Sequence, residues 1–251
     1  MPQSEAQSNA VAATAGKVPL DVAAISQELE AASSSDILDW AARTFAPRVT
    51  FGIGFGVEGC VLIHLIAERK LPIDLFTLDT GLLFPETYEL WTALETRYGV
   101  RIRPVRPVQT VEVQALHWGP QLWARDPNKC CELRKVEPLR RAIAGMEAWI
   151  SAIRRDQTPE RATAPVVAQD KRFGVVKINP LVRWTAKDIW KFVLANEVPY
   201  NRLHDEGYPS IGCHPCTTPV GEGEDPRSGR WRGQSKNECG LHVGQPAAEQ
   251  S

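Results

Sequence analysis

Hydrophobic positions switch between strand-like and helix-like periods along most of the chain. Residues 49–55 are β-branched and aromatic, the mark of a strand. Residues 58–69 follow as a helix that is apolar on nearly every side, which predicts burial. A second strand is predicted over 73–78. A helix over 85–98 starts with Pro85, whose missing N–H has no helical partner at that position anyway. Residues 101–105 read as a short third strand. Residues 20–45 carry apolar positions at near-helical spacing, interrupted at Ser33–Ser35, and 111–123 fit neither period cleanly. Over 131–144 one helical face gathers Leu133, Val136, Leu139 and Ile143, while Pro138 demands a kink or a fresh start. Strands are predicted over 149–153 and 175–178. Thr185-Ala-Lys-Asp188 has capping-box form and opens a helix to about Ala195. Beyond Pro199 the chain is rich in Gly and Pro with few periodic apolar residues, which predicts a long mobile tail. Strands alternating with helices, without repeats, imply a single α/β domain: a mostly parallel sheet flanked by helices. The organisation predicted is a disordered N-terminal tail over 1–19, the domain over 20–216 and a flexible C-terminal arm over 217–251.

Composition narrows the function classes. Hydrophobic residues at 43% and charged residues at 24% are ordinary for a globular protein, and no apolar run approaches the ~20 residues of a membrane helix. The first residues hold one cation, Lys17, and no apolar core, so no secretory signal and no membrane attachment are expected. A net charge of −1 argues against bulk attraction to nucleic acid. Residues 125–161 and 227–242 are each mildly basic, either as two solvated faces or as two stretches converging on a small anion. The six cysteines, with no signal for export, point to a reducing, cytoplasmic compartment in which thiols serve metal or catalysis.

Three constellations carry candidate chemistry. The first strand runs into Gly52-Ile-Gly54-Phe-Gly56-Val-Glu-Gly59 and then a helix, so backbone N–H groups and a helix N-terminus suit an anion. Gly54, Gly56 and Gly59 with Asp79 also fit the dinucleotide fingerprint, which leaves an NAD or FAD enzyme, or a plain tight turn, as other readings. Cys130-Cys131 and Cys213-His-Pro-Cys216 together supply four thiolates. Adjacent cysteines diverge awkwardly around one zinc ion but take separate corners of an iron–sulfur cluster; zinc and a redox dithiol are the other readings. Lys135 stands one helical turn from Cys131, either as surface charge or as an anchor that ties cluster and anionic substrate together. Cys239 sits in a polar, glycine-flanked segment with Arg227, Arg230, Arg232, Lys236 and His242 as cations that favour a reactive thiolate. An inert exposed thiol is the alternative. Cys60, among Val61, Leu62 and Ile63, reads as core.

From about Val49 to His242 the sequence resembles the assimilatory sulfonucleotide reductases. The resemblance rests on Leu78-Asp-Thr-Gly81 with Phe84-Pro-Glu-Thr-Tyr88, Cys130-Cys131-Glu-Leu-Arg-Lys135-Val-Glu-Pro-Leu, Ile153-Arg-Arg-Asp-Gln157, Gly212-Cys-His-Pro-Cys216 and Glu238-Cys-Gly-Leu-His242. It implies an adenine-nucleotide α-hydrolase-like fold and thioredoxin-dependent reduction of adenylyl sulfate (APS) to sulfite and AMP in sulfate assimilation. By position it implies a 4Fe-4S cluster on Cys130, Cys131, Cys213 and Cys216. It implies a nucleophile at Cys239, forming an S-sulfocysteine, with His242 beside it. Substrate contacts are expected at Gly54, Gly56, Asp79, Thr80, Gly81 and Lys135, at Arg154 or Arg155, and at Arg227 and Arg230. Thioredoxin or a glutaredoxin-like thiol donor is the implied partner; an oligomer is compatible. The 3′-phosphorylated substrate (PAPS) is an alternative, as is a non-catalytic iron–sulfur or nucleotide-binding sensor. The phosphate loop departs from the family's Ser-Phe-Gly-x-Glu-Asp: Gly54 and Gly59 stand where the hydroxyl and the aspartate are usual.

Overall fold

The computed structural model describes residues 20–236 and 238–241; the predicted tail over 1–19 and His242 lie outside them. The chain opens with α1 (Val22–Glu28), a 3-10 turn over Leu29–Ala31 and α2 (Ser34–Phe45). Ser33 is the break anticipated from the serine run: its hydroxyl accepts the Asp36 N–H at 3.1 Å and starts α2 afresh. α2 buries Ile37, Leu38, Ala41, Ala42 and Phe45, an i, i+1, i+4, i+5, i+8 stripe against the sheet.

Strand β1 (Val49–Ile53) leads into α3 (Val57–Glu68), β2 (Asp74–Leu78), α4 (Pro85–Tyr98) and β3 (Arg103–Val105). β1 stops two residues earlier than predicted because Phe55 adopts a left-handed φ of 55°, incompatible with a strand. α3 is buried along most of its length, as its all-round apolar sequence requires, with Cys60 fully enclosed. Pro104 is tolerated because β3 is an edge strand.

The segment of ambiguous period resolves into α5 (Val111–Trp118) and the short α6 (Leu122–Arg125), followed by α7 (Pro127–Cys131), a π turn over Glu132–Val136 and α8 (Glu137–Ala142). Pro138 is met by the fresh start of the two outcomes anticipated: the π turn ends at Val136, and the proline falls in the first turn of α8, where its missing N–H leaves no helical bond unmade. β4 (Ala148–Ile150) is followed by β5 (Val167–Asp170), β6 (Val175–Ile178) and α9 (Ala186–Ala195). Thr185 and Asp188 form the anticipated capping box.

The six strands among the described residues make one sheet in the order β3-β2-β1-β4-β6-β5. All neighbours are parallel except β5 and β6, an antiparallel edge pair absent from the sequence-based expectation. From β1 the chain first winds outward through β2 and β3, then returns to place β4 on the other side. The switch point between β1 and β4 is where open α/β sheets bind ligands, beyond the carboxyl ends of the strands. After α9 the chain follows short 3-10 turns, Arg202–His204 and His214–Cys216, and folds back over that end of the sheet through an antiparallel bridge between Thr217 and Arg230.

Candidate active site

A cavity of about 660 Å³ opens at the switch point. Its floor is the stretch from Gly52 to Gly59, its sides come from Thr77, Leu78 and Thr80 at the end of β2 and from Ala152 to Arg154, Asp156 and Gln157 after β4, and its roof from Pro209 to Cys213, Asp225 to Arg227, Arg230, Trp231, Glu238, Cys239 and Leu241. Gly56 is the residue before α3 and has no side chain to satisfy the helix's first N–H groups. Those orphan donors, with the positive end of a 12-residue helix, suit an anionic group.

Among the described residues, five Lys and Arg side chains line this space: Lys135, Arg154, Arg161, Arg227 and Arg230. Arg154 faces Asp156 at 3.2 Å and Glu58 at 3.4 Å. Its neighbour Arg155 is not a cavity residue; it pairs with Glu30 at 2.6 Å and donates to the Ala164 carbonyl at 2.9 Å. Arg230 lies flat on the backbone of Gly212, where any Cβ would stand 2.2 Å from Nη2. It also stacks on the buried ring of Trp231 at 4.6 Å. Burial pushes the Arg230 pKa down, against the opposing charge of Cys239, Cys213 and Cys216. Burial also works against charge on Lys135, yet the neighbouring thiols of Cys213, Cys239 and Cys131 outweigh it and raise its pKa overall.

Cys239 lines the cavity beside these cations, half-buried. The chain on either side of it is held by contacts that sequence reading did not single out. Glu238 meets Arg161 at 2.7 Å and Arg227 at 3.4 Å, and Arg172 donates to the carbonyls of Gly240 and Leu241, each at 2.8 Å. Arg161 and Glu238 each belong to a basic stretch visible in sequence, but nothing along the chain marks Arg172.

The four other candidate cysteines, Cys130, Cys131, Cys213 and Cys216, line a second, small cavity together with Leu82, Trp123, Pro127, Arg134 and Lys135. Burial and the charge of its three companions push the Cys130 thiol up to about 12. Cys216 is likewise pushed up to about 11, by burial and then by Cys213. Without a cation between them, these thiols resist ionising together. Among the described residues, no three or more His, Cys, Asp or Glu side chains form a group that could hold a metal ion. The two cavities share a wall, because Lys135 and Cys213 line both.

Thr80 lines the large cavity, and its hydroxyl stands 3.4 Å from Cys213 Sγ. Its carbonyl accepts from the buried Arg134 at 2.6 Å. Asp79 and Gly81 do not line the cavity. Burial raises the Asp79 pKa, but donation from Tyr88 (2.7 Å), Arg106 (2.9 Å) and the Gly81 N–H (3.2 Å) outweighs it and holds the carboxyl below its usual range. With its oxygens engaged inside the protein, Asp79 braces the turn after β2 and does not offer a carboxylate to a ribose, as the dinucleotide fingerprint would require. No helix among the described residues is long and apolar enough to cross a membrane.

Residues 48–219 match the family described as the phosphoadenosine phosphosulfate reductase domain. The adenosine 5′-phosphosulfate reductase of Geobacillus kaustophilus is 48% identical over 215 residues, 85% of this chain and 92% of that protein. Adenosine 5′-phosphosulfate reductase 1 of Bacillus subtilis is 50% identical over 207 residues, 82% and 89% of the two chains. Among solved structures, the phosphoadenylyl-sulfate reductase of Candida auris superimposes with a TM-score of 0.72 at 32% identity, covering 81% of this chain and all of that one. An FMN adenylyltransferase of Candida glabrata shares the fold alone, with a TM-score of 0.55 at 16% identity over 87% of this chain and 74% of that one.

Proposed function

Because this chain belongs to the phosphoadenosine phosphosulfate reductase family, we propose that it reduces adenylyl sulfate to sulfite and AMP in sulfate assimilation, through a sulfonated Cys239. The observation that carries the reading is the convergence, on one cavity, of an uncapped helix N-terminus, five cations and a single cysteine outside the thiol quartet. The relatives at 44–50% identity that bear the name adenosine 5′-phosphosulfate reductase support APS over its 3′-phosphorylated form.

In the first step the Cys239 thiolate attacks the sulfur of the substrate. A sulfur–sulfur bond forms, the sulfur–oxygen bond to the phosphate breaks, and AMP leaves with the electron pair. Attacker and target are both anionic, so the reaction needs fixed positive charge at the point of attack. Lys135 and Arg230, both electrostatically coupled to Cys239, supply it; preorganised charge of this kind is worth several kcal/mol of barrier. Asp225 to Arg227, Trp231, Glu238 and Leu241 roof the cavity and would keep water from the reacting sulfur. In the second step a thiolate of thioredoxin, or of a glutaredoxin-like donor, attacks Cys239 Sγ. Sulfite departs with the electron pair, and the donor's second thiol resolves the mixed disulfide, leaving the donor oxidised and Cys239 a thiolate. The second step requires the C-terminal arm to lift.

Cys130, Cys131, Cys213 and Cys216 would hold a 4Fe-4S cluster. Their shared cavity supports this: all four thiols line it, and the adjacent Cys130 and Cys131 suit separate corners of a cluster better than one zinc ion. When bound, the cluster supplies fixed charge beside Lys135 and ties the Cys213 turn to α7. A reducing cytoplasm would keep these thiols available.

Intact-mass measurement tests the proposal. Cluster-replete protein mixed with APS gains one sulfonate on Cys239, and reduced thioredoxin removes it; protein that never gains that mass overturns the reading.

A further inference from the structure

We propose that the β5–β6 hairpin is a dock for the chain around Cys239, and that Arg172 at its tip is a positioning residue that favours sulfonation and delays reduction. The proposal rests on the two-step reading above. No residue of Val167–Asp170 lines the active cavity, so this antiparallel edge strand is an addition to the ligand-binding sheet with another use. Its tip is built to present one guanidinium. Both Phe173 and Gly174 donate N–H groups to the Asp170 carbonyl, closing the turn. The Asp170 carboxylate, itself buried, takes Nε and Nη2 of Arg172 at 3.4 Å each. The guanidinium also lies 4.9 Å from the Phe173 ring centroid. Fixed in this way, its two terminal nitrogens reach successive carbonyls, those of Gly240 and Leu241.

The arm is shaped to match. Gly240 has a φ of +86°, which side-chain-bearing residues avoid, and there a Cβ would come within 3.4 Å of Val136. Leu241 enters a small apolar cluster that includes Phe76, Leu139, Trp149 and Phe173. On the other side of Cys239, Glu238 is gripped by Arg161. The nucleophile is thus suspended between two anchored neighbours. Attack on the substrate needs that suspension, because small misplacements of a reacting atom are costly. Reaction with a thiol donor needs the opposite, since the sulfonated sulfur must leave the cavity. A residue that merely stabilised the fold would move both steps in one direction.

The test is a single-turnover experiment on cluster-replete Arg172→Ala and Gly240→Ala proteins. Sulfonation by APS is expected to slow about tenfold. Sulfite release from the preformed adduct by dithiothreitol is expected to speed up about fivefold, with AMP affinity unchanged. In ligand-free protein, trypsin cleavage after Lys236 should accelerate by a similar factor. Unchanged sulfonation, a parallel loss in both steps, or wild-type cleavage would overturn the dock. Should the wild-type protein never acquire a sulfonate, the functional reading fails instead, and the cleavage rates alone judge the dock.

Discussion

The two ends of the cavity are built on opposite principles. The end formed by β1 and α3 lies on regular structure and offers backbone: a run of glycines and an uncapped helix start. The end formed by the chain after Pro209, among the described residues, has short turns and one isolated bridge and offers side chains, arginines and a thiol, beside Lys135 of the π turn, which it shares with the cysteine quartet. A backbone site needs few particular side chains, because the sheet holds its N–H groups in place. A side-chain site on irregular chain must be anchored contact by contact, which accounts for the stacking of Arg230 on Trp231 and the grip of Arg161 on Glu238. On the proposed function, binding the nucleotide and breaking its sulfur–oxygen bond would fall to different kinds of structure.

Substitutions that separate the two ends put this contrast at risk. The largest effect is expected from Cys239→Ser, which should lower sulfite formation by more than about a thousandfold while AMP binding and iron content persist; a coupled assay with metal analysis checks it. Next is Lys135→Ala, which removes the cation that lines both cavities and should lower kcat by about a hundredfold, measured by steady-state kinetics on cluster-replete protein. Gly212→Ala forces the Arg230 guanidinium off its seat. Because the clash falls on the end of a flexible side chain, Tm should hardly move while kcat/KM drops about tenfold, with AMP affinity intact. The smallest effect belongs to the backbone end. Nothing lies within 4 Å of a Cβ at Gly54, so Gly54→Ser can add a hydroxyl without a clash and should tighten AMP binding about fivefold. Calorimetric titration would show it, and weaker binding would mean that the loop already satisfies its anion fully through the backbone.

Regular structure was the part most legible in sequence. The period-two and period-3.6 runs located β1, β2, α3, α4 and α9 because each carries its own hydrophobic signature, and the Thr185–Asp188 box marked a helix start by local chemistry alone. β5 escaped notice because Val167-Ala-Gln-Asp170 is short, and its strand character comes from pairing with β6. The thiol quartet was visible as two close pairs, with Lys135 as a candidate anchor beside it; that Cys213 also walls the large cavity was not, since that depends on how the chain after α9 folds back over the sheet. Two arginines adjacent in sequence, Arg154 and Arg155, looked interchangeable; only the fold sends one to the cavity and the other to Glu30. Arg172 had no signal for the site, because the partners that tie it there are main-chain carbonyls far along the chain.

That shared wall makes the grip on substrate a gauge of the quartet's health. Oxygen that damages the cysteines would loosen the turn at Cys213, and with it one face of the reaction chamber. Ageing in air should therefore first appear as a rising KM, before turnover itself declines.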